Sequence, residues 1–433
     1  MATASPTTDT GAVATSRGLL DQLDIDTRLL GMVAALILIW IGFHLGTGGA
    51  FLTARNLWNL AVQTSVVGVM ATAMVFVIVT RNIDLSIGSV LGFVGMIMAV
   101  VQTEWLGPAL GFGNPVFWIA ALLIGLAAGA LIGASQGAIV AYGRVPAFIV
   151  TLGGLLVFRG AAWWLTSGRT VAPMDETFEM IGGGLSGAIG GPASWVVGIV
   201  AAIAVVLGLW RTRARRQAFE FPVKPLWAEL VVGAVAVALI LGFVQVMNSY
   251  TLPTRVAADL LRARGVEVVA GQVPEIPRGI PIPVLIMIAA AVIMGFVATR
   301  TRFGRYVYAI GGNPEAAQLA GVDTRKVIVV VFALMGLLTA VSAAIATARL
   351  NAGANATGTL AELQVIAAAV IGGTSLAGGA GTVAGALLGA LVMQSLASGM
   401  VLLGLDTPLQ NIVIGLVLVL AVFLDGIYQR RRR

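Results

Sequence analysis

The sequence contains no cysteine, one histidine and two lysines, and each of these shortages excludes a class of chemistry. Without cysteine the chain has no disulfide, no thiolate metal site and no cysteine nucleophile. A zinc site or a Ser-His-Asp triad would depend on His44 alone, inside the first apolar segment. Neither Lys224 nor Lys326 follows a Gly-x-x-x-x-Gly frame, so the chain has no P-loop for ATP. We therefore expect no catalytic residues, no metal and no cofactor in this chain.

Charged residues are also scarce, at 10% of 433 residues against about 25% in an average soluble domain. Hydrophobic residues make up 58% of the chain, and the mean hydropathy is +0.98. A soluble domain of this size needs more polar surface, so this composition predicts a membrane protein. The net charge of +7 lies mainly in short loops beside apolar segments, which indicates membrane topology rather than nucleic-acid binding.

Apolar segments of about 20 residues predict an all-α polytopic membrane protein with about 10–12 transmembrane helices. Polar or glycine-rich breaks at 82–84 and 374–381 indicate that some helices are broken or re-entrant, which would bring the count toward ten. The candidate spans are 29–48, 57–80, 85–103, 115–142, 146–166, 193–210, 226–247, 281–299, 327–348, 360–376, 382–403 and 408–428.

The distribution of Lys and Arg predicts the orientation of these spans. With the N-terminus inside, 18 of the 26 Lys and Arg residues lie in cytoplasmic segments, seven lie outside, and Arg159 lies within a span. Cytoplasmic loops of membrane proteins carry such an excess. Both termini are therefore predicted to be cytoplasmic.

The spans also divide the chain. Residues 1–27 are predicted to form a flexible cytoplasmic tail, residues 28–429 a transmembrane domain, and residues 430–433 a basic cytoplasmic tail. The outside segments 167–192 and 249–280 are long enough to dock a partner, although plain connecting loops explain them equally well.

The cytoplasmic loop 300–326 contains the signals of a very short helix. Asn313 suits the N-cap, Pro314 the first helical position, and Glu315 the positive end of the helix dipole, while Gly321 ends the helix. Ala316, Leu319 and Ala320 share one small apolar face. Because an isolated helix of two turns is unstable in water, this one is suited to being held by a partner.

Glu315-Ala316-Ala317, followed after three residues by Gly321, resembles the cytoplasmic Glu-Ala-Ala-x-x-x-Gly signature of bacterial ATP-binding-cassette importer permeases. In that family this loop is the coupling helix that docks on the ATPase subunit. The resemblance assigns that role to Asn313, Pro314, Glu315, Ala316, Ala317, Leu319 and Gly321. An ordinary capped loop helix is the alternative.

Further stretches resemble the ribose/xylose/arabinose branch of these permeases, at 82–89, 143–152, 308–313 and 370–379. Residues 166–173 and the basic run 211–217, followed by an inserted apolar hairpin at about 211–280, are similar to the D-xylose permeases in particular. Two positions depart from the family pattern, since Gln364 replaces the usual Asp and Ile414 the usual Lys.

Asp84, Arg159 and Glu362 are the ionisable residues predicted at apolar depth. Each costs about 2.5–3.5 kcal/mol at the centre of a membrane helix if unpaired. One hypothesis is that Arg159 pairs with one of the two carboxylates; the other is that each residue lies near an interface and is solvated.

Two glycine ladders have a spacing of four residues, which places the glycines of each ladder on one helix face and permits close helix crossing. A face along which helices slide during transport is the functional alternative. The ladders are Gly125, Gly129, Gly133 and Gly137, and Gly381, Gly385 and Gly389.

Together the resemblance implies the permease subunit of an importer in the bacterial cytoplasmic membrane that carries a monosaccharide, with D-xylose as the nearest match. It implies a second permease copy, cytoplasmic ATPase subunits and an extracytoplasmic sugar-binding protein as partners, and no nucleic acid. A weakly polar pathway is expected, with Asn351, Asn355, Thr357, Gln364 and Asn411 as candidates. The rival hypothesis is a proton- or sodium-coupled secondary transporter that uses Asp84 and Glu362.

Overall fold

The computed structural model describes residues 27–110, 114–263 and 273–432. The predicted tail, apart from Thr27, lies outside them. The helices in chain order are α1 Thr27–Gly46, α2 Ala54–Val79, α3 Ile87–Val100, α4 Val116–Gly143, α5 Ala147–Thr166, α6 Gly191–Ala218, α7 Leu226–Asn248, α8 Thr254–Ala263, α9 Ile282–Arg300, α10 Arg302–Gly312, α11 Pro314–Leu319, α12 Thr324–Leu350, α13 Ala361–Ile371, α14 Val383–Leu402 and α15 Thr407–Arg432. A π-helical segment, Val101–Leu106, extends α3.

Ten helices of the described residues are long and apolar enough to cross a membrane, which confirms the predicted polytopic all-α class. Helix α13 is too short: its 11 residues extend about 16 Å, roughly half of a hydrocarbon core about 30 Å thick. The candidate span 360–376 is therefore a half-helix that ends at the predicted glycine-rich break. Helix α15 begins with a further apolar stretch, Thr407–Phe423.

Helices α2, α3, α12 and α14 form the interior of the bundle, and most of their residues are buried. Helices α5, α6 and α7 instead expose large apolar side chains over most of their length. In a bilayer these side chains face lipid, where they cost nothing. Helices α6 and α7 pack against each other, and α7, which lies within the predicted insertion at about 211–280, also contacts α2, whereas most of α6 precedes that region.

Two non-helical breaks lie inside the bundle and touch each other. The first, residues 80–86, follows α2, and Arg81 adopts a left-handed backbone there with φ of 64°. The second lies between α13 and α14. The Gly379 N–H donates at 3.0 Å to the carbonyl oxygen of Val79, the last residue of α2, and Gly378 lies beside the Arg81 side chain of the first break. Both were predicted from polar and glycine residues, but their contact was not.

The first glycine ladder packs α4 against α12, the most extensive helix pair of the described residues. A Cβ at Gly129 or Gly133 would collide with backbone atoms of α12, at Gly336 and Phe332 respectively. In the second ladder, Gly389 lies against the backbone of α13 and Gly385 against that of Gly372 just after it, whereas Gly381 precedes α14. The close-crossing interpretation is therefore confirmed for these two glycines and for Gly129 and Gly133, and the sliding alternative stays a prediction.

Replacing Gly133 with valine should destabilise the bundle, because the new side chain would enter the backbone of α12 at Phe332. Overpacking of this kind costs about 1–3 kcal/mol. Thermal unfolding of the purified protein in detergent measures the loss. Gly153→Val on α5 is the matched control, since nothing lies within 4 Å of a Cβ there. Equal melting temperatures for the two variants would contradict close crossing at Gly133.

Candidate functional site

The loop 300–326 contains the capped helix that its sequence predicts. The Asn313 side chain accepts the Ala316 N–H at 3.0 Å, and Pro314 occupies the first turn of α11. At the other end, Gly321 has a φ of +83° and its N–H donates to the Gln318 carbonyl at 3.0 Å. Asn313 alone separates α11 from α10, so the two helices form one angled unit.

The outer face of α11 has no partner among the described residues. Ala317 is buried beneath the helix, whereas the Leu319 side chain is 90% exposed. Glu315, Ala316 and Ala320 are exposed beside it. An exposed leucine flanked by alanines, on a helix stiffened by caps at both ends, is a surface suited to insertion into a groove of another protein.

The next helix, α12, starts from a cap at the same end of the bundle. Asp323 accepts the Lys326 N–H at 3.1 Å, and its carboxylate pairs with the Lys326 ammonium at 3.1 Å. The pKa of Asp323 is lowered, first because it accepts this backbone N–H and then because of the Lys326 side chain. The carboxylate therefore stays charged near neutral pH and holds the start of α12.

A cavity of about 260 Å³ lies between α2, α3, the end of α12, and the helices α13 and α14. Its wall combines apolar groups with neutral polar groups and one cation. Gln394 donates to the Gln364 side-chain oxygen at 3.0 Å across it. The polar side chains that line it are Gln63, Arg349, Thr357, Thr359, Gln364 and Gln394.

The structure brings two of the five pathway candidates together. Thr357 and Gln364 line the cavity. Asn351 instead closes the end of α12, where its side-chain oxygen accepts the Met174 N–H at 2.7 Å. Asn355 lies in the loop that follows, and Asn411 is exposed on α15. Whether any of the five contacts a solute stays a prediction.

Arg159 binds backbone rather than either carboxylate. Its guanidinium donates to the Asn355 carbonyl at 2.8 Å and to the Thr357 carbonyl at 3.1 Å, and none of the ion pairs of the described residues includes it. Glu362 is close enough to interact with it electrostatically. Arg159 therefore anchors the loop that carries Thr357 into the cavity wall.

The two buried carboxylates each have their own environment. Asp84 is 3% exposed and accepts both the N–H and the hydroxyl of Ser86, at 2.9 and 2.7 Å. The Glu362 carboxylate lies against Gly88 in the first turn of α3, where the helix dipole favours negative charge. Both residues therefore serve the start of α3, a role that their sequence positions alone did not reveal.

Arg278 ties the two long segments 167–192 and 249–280 to the bundle. Its guanidinium lies over the Trp58 ring, 4.0 Å from the centroid, and 5.2 Å from that of Tyr250. It also donates to the Gly184 carbonyl oxygen. The pKa of Arg278 is lowered, mainly because the group is buried, while Tyr250 opposes that shift. The segments 167–192 and 249–280 therefore share one packed junction.

Several of these groups were missed by reasoning from the sequence alone. Gln63 and Gln394 lie in mainly apolar spans, next to Thr64 and Ser395 respectively, and Arg349 was counted only as an outside charge. Nothing local distinguishes them, because their role depends on which helices meet. A polar residue inside an otherwise apolar span was the one signal that could have identified the glutamines.

Comparison with known proteins identifies close relatives. Residues 173–422 match the family described as the permease component of the branched-chain amino acid transport system. The chain is 40% identical to the xylose transport system permease protein XylH of Escherichia coli, over 97% of both chains. It is 40% identical to the XylH of Haemophilus influenzae over 93% of this chain and 96% of the relative. The ribose import permease protein RbsC of Escherichia coli is 33% identical over 91% and 92%.

No solved structure matches the chain. The relatives are permease proteins of import systems, and none supports the ion-coupled secondary transporter that was the rival hypothesis.

Replacing Arg159 with leucine should release the loop around Asn355 and Thr357, because both carbonyls lose their donor. A hydrogen bond to a charged group contributes about 1.5–3 kcal/mol. The melting temperature and the rate of proteolysis of this loop in the purified protein measure the effect. Arg55→Leu, which removes an exposed charge at the start of α2, is the control. Unchanged stability of Arg159→Leu would show that contacts other than those of Arg159 hold the loop in place.

Proposed function

This chain belongs to the family of permease components of the branched-chain amino acid transport system type, and we propose that it carries a pentose, D-xylose, into the cell. It is the translocation subunit of an ATP-binding-cassette sugar importer in the bacterial cytoplasmic membrane, and a separate subunit hydrolyses ATP. The identity to XylH over nearly the whole chain, higher than that to RbsC, is the observation that favours xylose over ribose.

The cavity supports a sugar as the solute. At about 260 Å³ it holds much more than a water molecule, which needs about 10–15 Å³ by the same measure. Amide groups such as Gln364 and Gln394 both donate and accept, as sugar hydroxyls do. Each neutral hydrogen bond contributes only about 0.5–1.5 kcal/mol, so a sugar would bind weakly and leave readily. We assign the passage of the sugar to this cavity.

Weak binding in the passage requires that selection happen elsewhere. The permease works with a solute-binding protein on the outside and with ATPase subunits on the inside. We assign the outer junction around Arg278 to docking of the binding protein, because it makes one fixed surface of both outside segments. A second copy of this chain would complete the passage from the opposite side.

The exposed face of α11 is assigned to the ATPase. It carries an unpartnered leucine on a rigid cytoplasmic helix, and the Glu315-to-Gly321 signature lies on the same helix. The pathway and coupling assignments are separate, since α11 and the cavity share no residue.

Uptake of labelled D-xylose by proteoliposomes tests the function directly. The chain would be reconstituted with its ATPase and sugar-binding protein, and we expect uptake that requires ATP. Gln364→Leu should lower uptake several-fold, because the cavity loses one partner of the glutamine pair. Gln217→Leu, the same substitution at an exposed position of α6, should leave uptake unchanged. Uptake driven by a proton gradient without ATP, or preference for ribose, would overturn the corresponding part of the proposal.

Replacing Leu319 with aspartate should weaken binding of the ATPase subunit at least tenfold. Loss of a central apolar anchor costs about 2 kcal/mol or more, and the new carboxylate adds a desolvation cost. Co-purification and titration of the two subunits in detergent measure the affinity. Gln318→Asp places the same charge on the neighbouring exposed position of α11 and is the control. Equal affinities for both variants would show that α11 is only a loop helix.

A further inference from the structure

Arg81 joins the end of α2 to the cytoplasmic loop that carries α11. Its Nε donates to the Gly311 carbonyl at 2.8 Å, and its Nη2 donates to the Gly312 carbonyl at 2.7 Å. Gly311 and Gly312 are the last two residues of α10, and the next residue is Asn313, the cap of α11. The last carbonyls of a helix have no partner within it and carry partial negative charge. Arg81 therefore caps α10 from a position 230 residues earlier in the chain.

The second break joins the same contact from the other side. The Gly379 N–H donates at 3.0 Å to the carbonyl of Val79, two residues before Arg81. The Tyr308 hydroxyl on α10 donates to the Gly381 carbonyl at 2.8 Å. We call Arg81, Tyr308, Gly311, Gly312 and the segment 378–381 the Arg81 junction.

The Arg81 junction has no room for sliding. A Cβ on Gly378 would meet the Gly311 carbonyl oxygen at 2.9 Å and the Val79 carbonyl oxygen at 3.0 Å, and it would also meet the Arg81 side chain. A Cβ on Gly311 would collide with the Val79 carbonyl oxygen. The backbones of α10, the end of α2 and the second break are in direct contact. A displacement of α10 therefore moves the other two segments, since no flexible side chains lie between them to absorb it.

Each segment held at the junction continues into the wall of the cavity. Helix α2, which ends beside Arg81, contributes Gln63. Helices α13 and α14, which flank the second break, contribute Gln364 and Gln394. The junction therefore connects the loop of α11 to two separate walls of the cavity, through helices without a further break.

We propose that Arg81 is a positioning residue for transport, which transmits movement of α11 to the cavity walls through α2 and the α13–α14 break. The proposal rests on the docking of the ATPase on α11. Arg81 contacts neither the sugar cavity nor the exposed face of α11, so its effect on transport acts through the carbonyls of Gly311 and Gly312.

The two donors of Arg81 come from one planar group, and lysine cannot reproduce that geometry. A guanidinium presents Nε and Nη2 in a fixed fork, whereas an ammonium is a single point charge on a flexible stem. Arg81→Lys therefore keeps the charge and loses the double contact. No ion pair of the described residues includes Arg81. Arg81→Lys therefore distinguishes the effect of the double hydrogen bond from the effect of the positive charge.

The experiment uses the importer reconstituted with its ATPase and binding protein, and it measures three quantities. These are the affinity of the ATPase for the permease, the ATPase rate with and without sugar-loaded binding protein, and the number of sugars transported per ATP hydrolysed. Arg81→Gln and Arg81→Lys are compared with Arg305→Gln, which removes an exposed charge from the same α10 helix. Tyr308→Phe removes only the hydroxyl contact to Gly381.

For Arg81→Gln we expect unchanged ATPase affinity and a fall of tenfold or more in sugars transported per ATP. Arg81→Lys should recover only part of that ratio, Tyr308→Phe should lower it less than Arg81→Gln does, and Arg305→Gln should leave it unchanged. An unchanged ratio in Arg81→Gln, even with a lower melting temperature, would overturn the proposal, since Arg81 would then only stabilise the fold. Lost ATPase affinity in Arg81→Gln would also overturn it, because Arg81 would then act on docking. Normal affinity in the Leu319→Asp variant would instead disprove the docking on α11 itself.

Discussion

The need to pair every backbone N–H and C=O inside a membrane governs this structure. Helices satisfy their own groups, so each interruption of a helix must find partners elsewhere in the protein. Residues 80–86, the loop after α12 and the break between α13 and α14 are three such interruptions. The Thr151 hydroxyl donates to the Ile83 carbonyl at 3.2 Å, Arg159 supplies donors to the loop, and Gly379 donates to Val79. The breaks are therefore stable because they contact one another and their neighbours.

The need to pair backbone groups at the breaks also explains where the few charged residues inside the bundle lie. An unpaired charge at membrane depth costs several kcal/mol, so each one must serve a structural or functional purpose. Arg159 donates to the carbonyls of Asn355 and Thr357, and Asp84 accepts the N–H and the hydroxyl of Ser86. Both charges are therefore satisfied by hydrogen bonds to backbone and hydroxyl groups rather than by charges of opposite sign. The interior thus holds irregular backbone without the desolvation cost of buried ion pairs.

The sequence was sufficient to predict the structure wherever interactions between residues close in the chain determine it. The spans follow from runs of apolar residues, and the cap of α11 follows from Asn313 and Pro314, which act within one turn. The close packing of α4 follows from the four-residue glycine spacing. Contacts between distant segments were not predictable: neither hypothesis for Arg159, pairing with a carboxylate or solvation near an interface, placed it on the carbonyls of the loop, and the donation of Arg81 to Gly311 had no local signal. Which carbonyl a guanidinium meets is decided by tertiary packing.

A passage that binds its solute weakly fits this division of roles. With Gln364 in place of the acid usual in the resembling permeases, the cavity presents the neutral glutamine pair and one cation, Arg349. A deep charged site would hold a sugar tightly and slow its release, since the free energy gained on entry must be supplied again on exit. A binding protein selects the sugar, and an ATPase supplies the energy for transport. The permease then needs only cavity walls that move together. The direct backbone contacts between α10, the end of α2 and the second break provide such walls.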